Sequence, residues 1–155
     1  MSRPDLSAVA TPEDLARVFP FLSQQERAIV QPFVTICRRA AAEPLFTIGD
    51  GADACYLLLS GSVAVKKQTG YGRNSQVIAL LSPPAPVGEG ALVGSGEHLT
   101  AVHAVVDTVL LRLAADDFDN LAARHPQIAL SIMGHLLRIT GLRLEKCSAR
   151  LAHIL

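Results

Sequence analysis

The residues best placed to do chemistry in this 155-residue chain are Gly88-Glu89-Gly90-Ala91-Leu92, followed by Glu97-His98-Leu99-Thr100-Ala101-Val102. Gly88 permits a sharp backbone turn close to a ligand. Gly90, Ala91 and Leu92 open a short helical turn, and the N–H groups at such a start form a seat for an anion. Two roles fit Glu89: accepting a hydrogen bond from a ligand hydroxyl, or capping the turn that begins at Gly90. Leu92 offers its N–H to the seat while its side chain suits the core. His98 is neutral at neutral pH unless its surroundings raise its pKa. The chemistry implied is binding rather than bond-making.

Sets of residues for catalysis are not apparent. The chain has no Gly-rich kinase loop, nucleophile elbow or zincin helix. His98, His103 and Glu97 are metal-ligand types close in sequence, but strand alternation puts residues five apart on opposite faces. His125, His135 and His153 fall in helical stretches. No catalytic residue, metal site or resident cofactor is therefore assigned. Cys37, Cys55 and Cys147 are far apart and show no pairing pattern, which favours buried thiols in a reducing cytoplasm.

Half the residues are hydrophobic, 18% are charged and the formal net charge is +0. That composition suits one folded domain and excludes a disordered tail or a global basic field for nucleic acid. No stretch reaches the roughly 20 apolar residues of a membrane span. Residues 1–10 carry no apolar signal core and are taken as a flexible N-terminus.

The elements that must position the turn follow from local signals. Thr11-Pro12-Glu13-Asp14 predicts a helix start with a hydroxyl cap and proline in the first turn. Ser23-Gln24-Gln25-Glu26 is a capping box, opening a second helix that stops near Pro32. Short β-type runs then alternate with turn residues: Phe33 to Arg38, Pro44 to Ile48, Cys55 to Leu59, Ser62 to Lys67 and Gln76 to Leu81. A polar hairpin tip spans Thr69 to Asn74, and Ala101 to Leu113 holds one or two strands with a turn near Asp107. The pattern predicts a mainly β protein with flanking helices, its β-roll over 33–113.

Asp116-Asp117-Phe118-Asp119 predicts a helix with a carboxylate cap, and His125-Pro126 breaks it. One long helix then runs to the C-terminus. Along it Leu130, Met133, Leu137, Thr140, Leu144, Cys147, Leu151 and Ile154 recur at alternating spacings of three and four. Such a seam packs on its own domain or against the same helix of a second subunit. Because it continues to the chain end, beyond what a small roll covers, the expectation is a homodimer.

Several motifs in order resemble the cyclic nucleotide-binding domain family. Phe46-Thr47-Ile48-Gly49-Asp50, Tyr56 and Ser60-Gly61-Ser62-Val63-Ala64-Val65 are similar to its first half. Gly88 to Leu92 resembles the phosphate-binding cassette, and Asp117-Phe118 with His125-Pro126 the return into the long helix. The resemblance implies a double-stranded β-helix (a jelly-roll-like β-roll) with N-terminal helices at 11–32 and C-terminal helices at 116–155, forming one domain over 11–155. It implies cAMP, cGMP or cyclic di-GMP as ligand, with Glu89 on the ribose 2′-hydroxyl. The implied ligand set is Gly88, Glu89, Gly90, Ala91, Leu92, His98, Leu99, Thr100 and Arg143. For Arg143, an exposed helix arginine is the alternative.

The family's cassette arginine is replaced by His98. Losing a charge-assisted guanidinium–phosphate pair costs roughly 2–4 kcal/mol, about 30- to 1,000-fold in affinity. Leu99 stands where the family tends to place a small hydroxyl residue, with Thr100 as a partial substitute, and Pro83-Pro84-Ala85-Pro86 replaces Pro-Gly-Asp. In the bacterial catabolite activator proteins of this family a helix-turn-helix follows the long helix. Here the sequence ends at Leu155, so the expectation is no direct DNA binding. The chain is expected to be a non-catalytic cytoplasmic sensor signalling through a C-terminal dimer helix, or a ligand-free dimeric scaffold for a partner protein.

Overall fold

The computed structural model describes residues 5–70, 74–94 and 96–155. Its strands form two antiparallel sheets. The five-stranded sheet has the order β1 (Asp5–Ala8), β2 (Val34–Arg39), β9 (Thr108–Ala114), β4 (Ala54–Ser60) and β7 (Pro86–Val87). The four-stranded sheet has the order β3 (Pro44–Phe46), β8 (Ala101–Ala104), β5 (Val63–Gln68) and β6 (Ser75–Leu81). Helices α1 (Pro12–Val18) and α2 (Gln24–Val30) precede the roll, and α3 (Ala115–Arg124) and α4 (Pro126–Ile154) follow it. The predicted mainly β roll with flanking helices is the observed architecture.

The uninterrupted apolar run of β4 has a structural cause. The strand is buried on both faces, so both sets of alternating residues must be apolar. Tyr56 and Leu58 point into the roll with Phe46, Val87, Val102 and Leu110. Cys55, Leu57 and Leu59 point the other way, packing with Leu111 and Leu113 against Leu15, Phe19, Leu121 and Ile132 of the helical layer. Burying Leu57, Leu110, Leu111 and Leu113, each at most 1% exposed, contributes about 1.5–3 kcal/mol apiece.

Local chemistry sets the helix ends. Thr11 and Ser23 both form reciprocal capping boxes, with Asp14 and Glu26 respectively. Helix α2 ends at Val30, and a single 3-10 turn through Pro32 leads into β2. The expected carboxylate cap on α3 is not formed. The cap position is Ala114, the last residue of β9, and Asp116 and Asp117 lie in the first turn instead. The strand runs straight into the helix, and the N–H of Ala115 donates to the Asp53 carbonyl at 2.8 Å. The two carboxylates still favour the helix start through its dipole.

Asp5–Ala8 pairs as β1 with β2, Ala8 opposite Ile36, where the sequence suggested a flexible terminus. An edge strand is recruited by the free backbone groups of its neighbour, and side-chain pattern does not announce that. The hairpin between β5 and β6 is present, but its tip at 71–73 lies outside the described residues. The turn between β4 and β5 needs Gly61. Its φ is +85°, and a Cβ there would lie 2.6 Å from the Asp107 carbonyl.

Helix α4 divides into two parts. Ile128, Ala129, Ile132 and Leu136 are buried against the helical core. Past Leu136 no residue of α4 is buried, and Leu130, Leu137, Leu144 and Leu151 are 60–74% exposed. Met133, from the same heptad pattern, packs partly against the core. Among the described residues, no helix is long and apolar enough to cross a membrane.

Candidate functional site

Strand β7 brings the chain to the site by pairing with β4, Val87 opposite Tyr56. Gly88 then takes the left-handed conformation, φ +69°. A Cβ at Gly88 would sit 3.1 Å from the Ala54 carbonyl, 3.4 Å from the Phe46 ring and 3.5 Å from the His98 ring. Both backbone angle and space therefore call for glycine. A 3-10 turn, Glu89–Leu92, follows directly.

The turn faces a cleft of about 230 Å³ between the roll and α4. Gly88, Glu89, Gly90, His98, Thr100 and Arg143 line it, and Phe46, Val65, Leu81, Val87 and Val102 supply its apolar surface. The cleft thus gathers six of the nine ligand residues expected from sequence. Ala91 and Leu92 are buried outside it, Leu92 in the helix-side core, and the Ala91 N–H donates to the Gly88 carbonyl at 3.1 Å. Leu99 is 79% exposed and lines an adjoining hollow that shares Gly88, Gly90 and His98 with the cleft.

Glu89 does not stand free. The Arg143 guanidinium of α4 lies 3.4 Å from its carboxylate and donates to the Pro86 carbonyl at 2.7 Å. The Thr140 hydroxyl donates to the same Glu89 oxygen at 3.4 Å. Arg143 is accordingly part-buried, 30% exposed in its side chain. The middle of α4 is fastened to both sides of Gly88.

His98 is held by its backbone and by its ring. Its N–H donates to the Asp50 carbonyl at 2.8 Å, its carbonyl accepts from Gly49 at 2.9 Å, and neighbouring Glu97 bridges Gly51. The ring stacks on Phe46 with centroids 3.5 Å apart and planes 6° apart. Burial pushes its pKa below the ordinary histidine value, against the opposing pull of Asp50 and Asp53. His98 is thus an 8%-exposed imidazole at the wall of the cleft, its burial favouring the neutral form.

The apolar lining was not assigned to the site from sequence. Phe46 was visible only as part of a strand motif. Val65, Leu81 and Val102 alternate along strands as any core residue does, so their spacing does not separate cleft wall from core. Among the described residues no cluster of three metal-ligand side chains occurs.

A β-roll with a glycine–glutamate turn facing a long C-terminal helix defines a ligand-binding regulatory fold. Residues 37–125 match the family model for the cyclic nucleotide-binding domain, and the chain belongs to that family. It is 37% identical over 90 residues to the cyclic AMP receptor protein of Thermus thermophilus, covering 58% of this chain and 41% of that protein. It is 31% identical over 142 residues to patatin-like phospholipase domain-containing protein 6 of Pongo abelii, covering 88% of this chain and 10% of that protein. The chain therefore spans less than half of the length of either relative.

Among solved structures, the Thermus thermophilus catabolite activator protein superimposes with a TM-score of 0.69 at 30% identity, covering 89% of this chain and 63% of that one. A cyclic nucleotide-binding domain from Methylobacillus flagellatus gives a TM-score of 0.84 at 20% identity, covering 92% and 84%. The latter likeness is one of fold.

Proposed function

We propose that this chain is a ligand-sensing regulatory module with no catalytic activity of its own. Its cleft takes a cyclic nucleotide on a cassette that carries His98 in place of arginine, and α4 is both the signalling element and the dimer helix. The observation that carries this proposal is the meeting of Glu89 with Arg143 and Thr140 of α4 across the cleft mouth. A ligand hydroxyl that engages Glu89 shares or displaces those α4 contacts, so occupancy changes how α4 is held. Thr140 belongs to the same heptad pattern as the exposed leucines, which puts ligand contact and subunit contact on one helix. The name of the Thermus relative, a cyclic AMP receptor, supports cyclic AMP as the first ligand to test. The setting is a bacterial cytoplasm.

Calorimetric titration with cyclic AMP, cyclic GMP and cyclic di-GMP, with a parallel thermal melt, tests this. Binding is expected to be lost in Glu89→Ala, and saturating ligand raises the melting temperature because it binds only the folded state. Light scattering at about micromolar concentration is expected to give twice the chain mass, and Leu144→Asp to give the monomer. Absence of heat and of any melt shift up to about millimolar ligand would instead identify a dimeric scaffold for a partner protein. That second possibility draws on the same site, since Arg143 pairs with the Glu89 carboxylate that a ligand hydroxyl would otherwise engage.

A further inference from the structure

We propose that the cleft takes its phosphodiester monoanion together with one proton, and that protonated His98 is the cationic group contacting the ligand. This rests on the ligand-binding proposal above and adds its proton dependence.

Four observations carry it. First, His98 is 92% removed from solvent, being 8% exposed, yet lines the cleft beside Gly88, Gly90 and Thr100. Second, no described residue hydrogen-bonds its ring nitrogens, although both neighbouring backbone groups are paired and the ring face lies flat on Phe46. The stack occupies a face and leaves the ring edge for a partner. Third, the ring is fixed by the Phe46 stack and the Gly49–Asp50 backbone bonds, so it meets a ligand in place.

Fourth, the charges in the cleft cancel without it. Glu89 and Arg143 pair at 3.4 Å. Behind the ring, Asp50 accepts from the Thr47 N–H at 2.9 Å and Asp53 pairs with Arg112 at 3.5 Å. Glu97 precedes His98 in the chain and is exposed. With a neutral imidazole the charged side chains lining the cleft, Glu89 and Arg143, sum to zero, and among the described residues the Asp50 carboxylate behind the ring has no cation paired with it, so an anion gains little by entering. Taking a proton from solvent adds one positive charge to that lining, opposite in sign to a monoanion, and gives the Asp50 carboxylate a cationic neighbour.

Burial favours the neutral imidazole, and Asp50 and Asp53 oppose it by leaning the ring toward the charged form. An anion in the cleft adds to that lean. By reciprocity, whatever the ligand does to proton affinity the proton does to ligand affinity. Binding therefore strengthens as pH falls.

The test is calorimetric titration of the full chain with cyclic AMP and cyclic GMP from about pH 8 to about pH 6, repeated in two buffers of different ionisation heat. Adenosine and guanosine serve as uncharged probes. The expected result is an association constant rising by up to about tenfold per pH unit, with about one proton taken up per cyclic nucleotide and a flat profile for the nucleosides. His98→Arg is expected to bind more tightly with no pH slope, and His98→Gln to lose the slope, each first shown to be folded by its melt. His135→Gln, outside the cleft, is expected to keep it. Cyclic nucleotide binding without pH slope or proton uptake overturns this inference and leaves the ligand proposal standing. A slope that survives in His98→Gln also overturns it. No binding at any pH overturns both.

Discussion

The contact between Glu89 and Arg143 makes a quantitative prediction. At 3.4 Å, opposite charges attract by about 5 kcal/mol at an effective dielectric near 20. The side chains are 25% and 30% exposed, so lost hydration offsets most of this and a coupling of about 1 kcal/mol remains. Arg143 also makes the 2.7 Å bond to the Pro86 carbonyl, adding about 1 kcal/mol that Glu89 does not share. Glu89→Ala is then expected to cost about 1 kcal/mol, Arg143→Ala about 2, and the double variant about 2 rather than 3. Urea unfolding of the ligand-free protein at one fixed concentration measures all three. Single costs that sum to the double within about 0.3 kcal/mol would refute the coupling, and with it the idea that α4 is fastened through the residue proposed to meet the ligand.

Gly61→Ala forces a Cβ into Thr108 and the Asp107 carbonyl at positive φ, and should cost about 2–4 kcal/mol, read as a lowered melting temperature. Thr35→Val should stabilise by about 1 kcal/mol in the same assay, because the buried Thr35 hydroxyl has no hydrogen-bond partner. His98, His103 and His135 have pKa values lowered from 6.5, each chiefly by burial. The unfolded chain therefore binds protons first, so stability present above about pH 7 declines as pH falls through the histidine range. Ligand-free melts across that range should show falling midpoints, and a flat or rising trend would refute the assignment.

Much of this molecule acts within a turn or two of the chain and is legible there. Thr11 and Ser23 cap because a hydroxyl reaches an N–H three residues on, and Pro126 begins α4 because its fixed φ suits a helix start. The Gly88-Glu89 turn, the breaks between strands and the heptad spacing of α4 follow in the same way. Where the local signal was weak, it misled. Asp116 and Asp117 suggested a cap, but β9 runs directly into α3 and backbone from Asp53 takes that place.

The sequence by itself determined the β-roll, its helical flanks, the family and the turn that would hold a ligand. Only the tertiary structure decided what that turn faces. Arg143 lies 54 residues from Glu89, and an arginine on a helix reads alike whether it meets solvent or a carboxylate. His98 meets Phe46 from the backbone segment paired beside it, and nothing in its sequence neighbours specifies a stack rather than an exposed ring. The physical reason is range: caps and turns are set by bonds across three or four residues, whereas the charge of the cleft depends on sheet register and on how α4 packs on the roll.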